Sequence, residues 1–444
     1  MSEMKIFLEK IRSCWDGENE ITIDEARKVV KEINEFLYTN YPGIGDTFAL
    51  GSSYPYFSDF HRYWEENHKE ILNIKINETK CESVADVMHG IFVETEGQTF
   101  TNIWNMFGLS NEEVCRVRML TANQDFRGSR SFEELAKIYE DDPTIFDLEK
   151  IQSSPDEFIK DIGAAKLSQN DKRISYAKNL VNLLIEKETE PFAILEKYNN
   201  SVMGFKDDLL ARQTGYGNKK ADMFIRDMIV LNIWNDVTGF EEINVASDVN
   251  TMKVALRTGI IETEIPLVSS FLDIFCYQYG DVDDMNASAW RKVWEIWKEK
   301  YPTECIKSPC LMDYFIYDVV GKQFCKPTLA IFKCDECEHT FKWHSGRNKT
   351  CQVCHAAGIK NVRATKIASV MPCMDEEGSI AIQKSKFVSQ EGLMPYLQAC
   401  PFKTICDSTN KRFLEPPKSI SILGQTGWTS AYAEKDKGGG GLMS

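Results

Sequence analysis

Two pairs of cysteines constrain the local fold of this chain more tightly than any other feature. Cys334 and Cys337 form one Cys-x2-Cys pair, and Cys351 and Cys354 form a second pair thirteen residues later. Each pair can present two thiolates to one ion, and four thiolates complete a closed tetrahedral zinc site. Segments rich in strand-forming residues flank the first pair. The spacing therefore predicts a structural zinc ribbon over residues 326–370, with Zn²⁺ as its ion and no open position for catalysis.

The number of cysteines indicates metal ligation rather than disulfide bonds. The chain has 14 cysteines among 444 residues, and a reducing cytoplasm disfavours disulfides. No stretch is long and apolar enough to span a bilayer, and Met1–Lys5 does not begin a signal peptide. We therefore expect a cytoplasmic protein with no membrane partner.

A Gly-x-Gly turn between two helical segments is the second informative feature. Gly215 and Gly217 follow a short helical piece, and Ala221, Phe224 and Met228 then recur at helical spacing. Glycines let the backbone bend tightly and leave amide N–H groups exposed where the second helix begins. Those amides and the helix dipole favour a phosphate oxygen. The stretch predicts a helical hairpin that holds a phosphate.

A lysine and a carboxylate lie beside this turn. Lys219 is in the first turn of the second helix, and Asp248 follows a short extended segment and opens a third helix. Two interpretations stay open for this pair. Asp248 can be an ordinary N-cap and Lys219 a solvated lysine, or both can be catalytic groups beside the bound phosphate.

The pattern Gly215-x-Gly217-x-Lys219-x-Ala221, with Asp248 downstream, resembles the helix-hairpin-helix DNA glycosylases. This superfamily includes endonuclease III and 8-oxoguanine DNA glycosylase. The resemblance implies that Lys219 is the nucleophile of a bifunctional enzyme. It also implies that Asp248 is the catalytic aspartate.

The resemblance covers roughly residues 114–301, under half of the chain. It departs from the family at Gln213-Thr214, where the family usually has Leu-Pro, and at Asn250, where many members have His. Lys220 is adjacent to the assigned nucleophile, but the spacing of the glycines and the alanine favours its neighbour.

The resemblance also implies contacts with double-stranded DNA. The amides of Gly215 and Gly217 would hold the DNA backbone. Gln124 ends a segment that resembles the start of the same domain, so the loop after it would lie near the pocket for the target base. Arg127 and Arg130 in that loop could reach phosphates, although a solvated loop explains them equally well.

A second metal centre is implied by the same resemblance. Endonuclease III-like enzymes carry a four-cysteine loop that holds a 4Fe–4S cluster at the C-terminal edge of the domain. Cys305 and Cys310 follow the last predicted helix, and Cys400 and Cys406 have the spacing of the last pair in such a loop. We therefore expect a 4Fe–4S cluster whose ligands are split by the ribbon. Buried cysteines without a metal are the alternative.

These features predict a mainly α protein that has a helix-hairpin-helix glycosylase core, an N-terminal helical extension and a small C-terminal β zinc ribbon. A face of Trp290, Val293 and Trp297 predicts the last helix of the core. The predicted units are an N-terminal helical domain (1–110), the glycosylase core (111–301), a cysteine-bearing region (302–325 and 373–425), the ribbon insertion (326–370) and a disordered tail (426–444).

The charge of the chain restricts how it can meet DNA. The net charge is −15, which repels the phosphate backbone, although residues 301–444 carry more basic than acidic residues. Contact with DNA must therefore use local patches and backbone amides. We expect a monomer with modest nonspecific affinity.

The leading hypothesis is a DNA glycosylase with β-lyase activity that flips out and excises a damaged or modified base. Burial and a helix N-terminus would lower the pKa of Lys219, and Asp248 would stabilise positive charge on the sugar. The long N-terminal extension leaves open defence against modified foreign DNA as well as base excision repair. The alternative is a non-catalytic DNA-binding zinc-ribbon protein, which needs neither residue.

Overall fold

The computed structural model describes the helical part of the chain and the ribbon. The described residues are 3–14, 28, 32, 45–49, 52–56, 69–70, 72–101, 106–125, 130–166, 169–263, 280–325, 329–344, 351–359, 362–370 and 400–407. Arg127, the predicted tail and most of the region 373–425 lie outside them.

The described part of the chain is mainly α-helical, as predicted. Local sequence sets several helix starts. Two capping boxes start helices. The side chains of Ser110 and Ser131 accept hydrogen bonds from the amides of Glu113 and Glu134, and the carboxylates of these glutamates accept hydrogen bonds from the serine amides. The α-helices are α1 (Glu3–Ser13), α2 (Glu78–Glu94), α3 (Gln98–Thr101), α4 (Asn111–Ala122), α5 (Phe132–Asp141), α6 (Leu148–Ser153), α7 (Pro155–Asp161), α8 (Asn170–Glu186), α9 (Val202–Ala211), α10 (Asn218–Val230), α11 (Val249–Thr258), α12 (Gly280–Lys300), α13 (Gln352–Ala356) and α14 (Lys403–Asp407).

Shorter elements connect these helices. The 3-10 turns are Pro143–Phe146, Ala164–Lys166, Pro191–Tyr198, Phe240–Glu242 and Pro309–Met312, and a π-helix spans Phe315–Phe324. The strands are β1 (Gly45–Ala49), β2 (Ser52–Tyr56), β3 (Lys75–Ile76), β4 (Ile261–Glu262), β5 (Leu329–Cys334), β6 (Thr340–His344) and β7 (Ala364–Val370).

The N-terminal region differs from the purely helical extension that the sequence predicts. β1 and β2 pair as an antiparallel hairpin, and they contain the aromatic residues Phe48, Tyr54 and Tyr56, a residue type that favours strands. β3 pairs with β4 from the far side of the predicted glycosylase core, and α2 packs along α12.

One apolar cluster crosses the predicted boundary at residue 110. It includes Phe7 and Phe100 on one side and Phe224, Trp290 and Trp297 on the other. The helix predicted from the tryptophan face is present as α12, and both tryptophans are fully buried. No helix in the described ranges combines the length and apolar character that a membrane crossing requires.

The ribbon contains a three-stranded antiparallel sheet in the order β6–β5–β7. β5 pairs with β6 from Leu329 opposite His344 to Lys333 opposite Thr340. On its other edge β5 pairs with β7, with a register shift between Ile331 and Phe332. The strands predicted on both flanks of the first cysteine pair are therefore confirmed.

Candidate functional site

The Gly-x-Gly turn joins α9 to α10 as the sequence predicts. Gly215 has φ of +83°, and a Cβ at this position would lie 2.6 Å from the Tyr176 ring. The turn is fixed from outside by Asn123, whose Nδ2 donates to the Thr214 oxygen at 2.9 Å. Gly215 is therefore required both by its left-handed backbone and by the close approach of Tyr176.

Gly217 has a different role from Gly215. It is the N-cap of α10 and supplies no side-chain cap. A Cβ here would meet no atom of the described chain within 4 Å. The space beside Gly217 is therefore open among the described residues, and the first amides of a helix can bind an anion together with the helix dipole.

Lys220, the second of the two lysines that follow the turn, is hydrogen-bonded to the turn itself. Lys220 Nζ donates to the backbone oxygens of Asn123 at 2.9 Å and Gly215 at 3.3 Å. Burial, reinforced by Arg173 and Lys219, lowers the pKa of Lys220 to about 8, while Asp125 opposes the shift. A lowered lysine pKa is thus found at Lys220, whose ammonium braces the turn.

Asp248 is the N-cap of α11. Its Oδ1 accepts hydrogen bonds from the amides of Asn250 at 2.9 Å and Thr251 at 2.8 Å, and its Oδ2 accepts one from Asn250 Nδ2 at 3.0 Å. α12 supports this first turn through Asn286, which donates to Thr251 Oγ1 at 3.0 Å. The structure shows the ordinary capping role of Asp248, held in a buried and fixed orientation.

Asp313 is a residue of this region that the sequence analysis missed. It follows the 3-10 turn Pro309–Met312 and leads into the π-helix Phe315–Phe324. Gly321 of that π-helix lets it approach α11 closely, because a Cβ there would lie 2.8 Å from the Asn250 Cβ. This packing holds the segment that carries Asp313 against the first turn of α11.

The charge environment of Asp313 joins it to the predicted pair. Burial, assisted by the nearby Asp248, raises the pKa of Asp313 to about 6, although Arg226 and Lys219 act in the opposite direction. Lys219 and Asp248 therefore both lie within electrostatic reach of one buried carboxyl group. The signal in the sequence is an isolated acid within the apolar run Cys310–Ile316.

A buried charge network lies under Asp313. Arg226 donates to Asp313 and, through its Nη2, to Asp227 at 2.8 Å. Arg118 holds the other oxygen of Asp227 at 2.7 Å, and the Arg226 guanidinium lies 4.0 Å from the centre of the Tyr314 ring. Burial alone would lower the pKa of Arg226, but Tyr314, Asp227 and Asp313 together raise it. Arg226 is thus a permanent charge inside the core.

Two of the predicted base-pocket residues line a small, partly open pocket. Gln124 and Arg130 border a space of about 30 Å³, enough for about one or two water molecules. Gln124 Nε2 donates to the Arg173 oxygen at 3.3 Å. Arg130 donates to the Gly163 oxygen at 3.2 Å and pairs with Glu134 at 3.6 Å. Arg130 is therefore held by the protein itself.

The ribbon brings its four predicted cysteines together. Their sulfur atoms all lie within 4.8 Å of one another, with Cys334 and Cys354 at 3.6 Å and Cys337 and Cys351 at 3.6 Å. Tetrahedral zinc bonds of about 2.3 Å would place sulfurs about 3.8 Å apart. Burial opposes ionisation of Cys334, but amides of the turn lower its pKa to about 7. The quartet fits one metal ion such as zinc.

The second predicted quartet does not converge in the same way. Among the described residues, the ribbon is the only group of three or more Cys, His, Asp or Glu side chains that could share one ion. Burial raises the pKa of Cys305 to about 12 and raises that of Cys310 as well. Cys400 precedes α14 and Cys406 lies within it, and this helix packs against α2 and α11. A polynuclear cluster spaces its thiolates more widely than one ion does, so the 4Fe–4S cluster stays a prediction.

Comparison with known proteins gives no match for this chain. No protein-family model, no curated protein and no solved structure is similar to it. The functional argument therefore rests on the residues and on their geometry.

Proposed function

We propose that this protein is a DNA glycosylase that excises a damaged or modified base from double-stranded DNA and has β-lyase activity through Lys219. The observation that carries this proposal is the close packing of the π-helix on the first turn of α11, which holds Asp313 near Asp248, with Lys219 within electrostatic reach of the same carboxyl group. An amine and carboxylates beside an open helix N-terminus supply the groups that this reaction needs.

Lys219 is the proposed nucleophile. Its amine would attack C1′ of the deoxyribose, and the electron pair of the breaking glycosidic bond would leave with the base. The C1′–O4′ bond of the resulting aminal would then break, with its electron pair and a proton going to O4′, to give an imine at C1′. This imine makes the C2′ proton acidic, so loss of that proton and elimination of the 3′ phosphate follow. Lys219 is half-buried at the start of α10, where the helix dipole favours the neutral amine.

Asp248 is the proposed electrostatic partner. Cleavage of the glycosidic bond builds positive charge on the sugar, which an ionised carboxylate stabilises. The three hydrogen bonds that Asp248 accepts from Asn250 and Thr251 fix the position of its carboxylate. Its capping role therefore orients the carboxylate and is compatible with catalysis.

The hairpin is the proposed DNA-backbone site. The amides at the start of α10 would take a phosphate oxygen, and the Gly215 turn would hold them in place. Excision requires the target base to leave the duplex and enter the site.

Metals have structural roles in this proposal. The four ribbon cysteines would hold Zn²⁺ in a closed site. A 4Fe–4S cluster held by Cys305, Cys310, Cys400 and Cys406 would stabilise the C-terminal edge of the core. Elemental analysis tests both, since zinc without iron would leave only the ribbon site.

Borohydride trapping on duplex DNA tests the function. Wild-type protein should become covalently linked to a duplex that carries its target base, because reduction fixes the imine. Lys219→Gln should abolish trapping and retain DNA binding. Lys220→Gln is the matched control, and it should still trap because the glutamine amide can donate to the oxygens that Lys220 holds. Asp248→Asn should slow base release by roughly two orders of magnitude.

A non-catalytic DNA-binding protein is the second candidate, and the complete N-cap geometry of Asp248 favours it. A panel of lesion-bearing and modified duplexes separates the two. Binding without base release or trapping on any duplex would assign the hairpin and the ribbon to binding alone. Base release without trapping would indicate a monofunctional enzyme in which Asp248 activates water.

A further inference from the structure

Asp313 carries a hydrogen-bonding capacity that the fold does not use. One oxygen of its carboxylate accepts a bond from Arg226. The other, Oδ1, is buried and has no hydrogen-bond partner within the described chain. A buried carboxylate oxygen without a donor costs free energy, so such an atom in a native site requires an explanation.

A role for Asp313 in neutralising Arg226 and Arg118 does not by itself explain why its Oδ1 is buried without a hydrogen-bond donor. Asp227 already bonds Arg226 through two nitrogens, at 2.8 and 3.1 Å, and also bonds Arg118. Arg226 holds only Oδ2 of Asp313. The second oxygen is therefore available to a group outside the network, and the positive charge of Lys219 acts on this same carboxyl group.

We propose that Asp313 is the proton acceptor for Lys219, an inference that rests on the glycosylase function proposed above. The Lys219 ammonium transfers one proton to Asp313 Oδ1, which leaves a neutral amine and a neutral carboxylic acid. The amine lone pair then forms the bond to C1′. On an abasic sugar the aldehyde oxygen leaves as water, and the proton on Asp313 can supply one hydrogen of that water.

The surroundings of Asp313 suit this exchange of a proton. Burial brings its pKa to about 6, and an acid with a pKa near neutrality can both accept and return a proton. Charged and titratable groups from three elements face it. They are Arg226 and Lys219 of α10, Asp248 at the start of α11, and Tyr314 and Cys310 of its own segment.

The test uses the full-length protein and a duplex with a single abasic site, because this substrate does not require knowledge of the excised base. The rate of borohydride trapping is measured from roughly pH 4.5 to roughly pH 8. This interval extends from the ordinary pKa range of carboxyl groups to just above neutrality. Wild-type trapping should fall as the pH drops through about 6, where Asp313 becomes protonated. Asp313→Asn should trap about 100-fold more slowly. Its pH–rate profile should also lose the acidic limb, which is the fall in trapping rate below about pH 6.

Two further variants separate proton transfer from support of the fold. Asp318→Asn is the matched control: it removes another buried aspartate of the same segment, which pairs with Lys322 at 3.5 Å, and should keep the limb. Asp248→Asn should move the limb to lower pH, because Asp248 raises the pKa of Asp313. This second readout decides the question even if Asp313→Asn fails to fold.

Distinct results overturn the two proposals. Trapping by Asp313→Asn at the wild-type rate with the same limb would remove Asp313 from proton transfer and leave the lyase intact. An acidic limb that Asp248→Asn leaves in place would do the same. A wild-type protein that traps on neither abasic nor base-bearing duplexes would overturn the lyase function itself.

Discussion

The ribbon and the helical core keep their shapes by different means. In the ribbon, the described apolar burial of its own is limited to Phe332 and Ala364, with Phe341 packed against them, beside the cysteine cluster. The core has one continuous apolar cluster with fully buried side chains as large as Trp290 and Trp297. The ribbon thus depends on its ligands, and the core depends on packing.

This contrast explains where each part can hold charge. A unit of about 40 residues buries too little surface to fold without a metal or another crosslink. In a large core, the free-energy cost of burying a few polar groups is a smaller fraction of the stabilisation that comes from apolar packing. It can therefore keep Arg226 and Asp313 away from water, where their pKa values shift. Reactive groups are expected in the core, and structural thiolates in the ribbon.

Removing the metal should have the largest effect, and only on the ribbon. Cys351→Ser or a strong chelator should abolish zinc binding and unfold the sheet, because binding at such sites contributes about 10–16 kcal/mol of apparent folding free energy. Zinc content and amide exchange in β5–β7 measure the loss. Cys115→Ser, which changes a buried thiol of α4, is the control. Collapse of α10 and α12 upon chelation would show that the two regions are not independent.

Breaking the buried network should be the largest single change in the core. Arg226→Met leaves Asp227 and Asp313 buried with fewer donors, so the free energy of unfolding should fall by about 3–5 kcal/mol. Urea denaturation measures it. Arg212→Met, at a half-exposed pair with Glu186 and Asp208, should cost about 1 kcal/mol or less. Equal losses for the two variants would contradict the role of burial.

Substitutions at the two hairpin glycines should affect different properties, stability at Gly215 and DNA binding at Gly217. Gly215→Ala should cost about 1–3 kcal/mol, because its φ is positive and the Tyr176 ring leaves no room. Gly217→Ala should change stability by less than about 1 kcal/mol. Thermal melts and DNA titrations at fixed salt measure both. Weaker DNA binding by Gly217→Ala at unchanged stability would support phosphate binding at α10, and unchanged binding would contradict it.

The smallest effect is expected at a second buried arginine. Arg257 is 2% exposed, and its three guanidinium nitrogens have no hydrogen-bond partner in the part of the chain that the structure describes. Arg257→Met should therefore be neutral or stabilising by about 1 kcal/mol or more. Urea denaturation compares it with Arg226→Met. A loss as large as that of Arg226 would show that a bound anion pairs with Arg257.

Sequence reasoning succeeded where a property depends on a few consecutive residues. The spacing of Cys334, Cys337, Cys351 and Cys354 was enough to predict that the four cysteines meet, since the two cysteines of each pair are only three residues apart. The glycine at 215 and the aspartate that opens α11 are likewise local, because turns and helix caps are made by neighbours in the chain. The sequence by itself therefore determined the ribbon, the hairpin and the capped helix.

Tertiary structure alone decided which groups meet. Asp313 reaches the site because the π-helix packs on α11 at Gly321. Lys220 has a lowered pKa because burial in the turn, where its ammonium donates to the Asn123 oxygen, disfavours its charged form. The core crosses the boundary predicted at residue 110 because α2 packs along α12. Helical periodicity shows that a face is buried but not which distant face covers it, so these contacts, and the pKa values they set, come from packing.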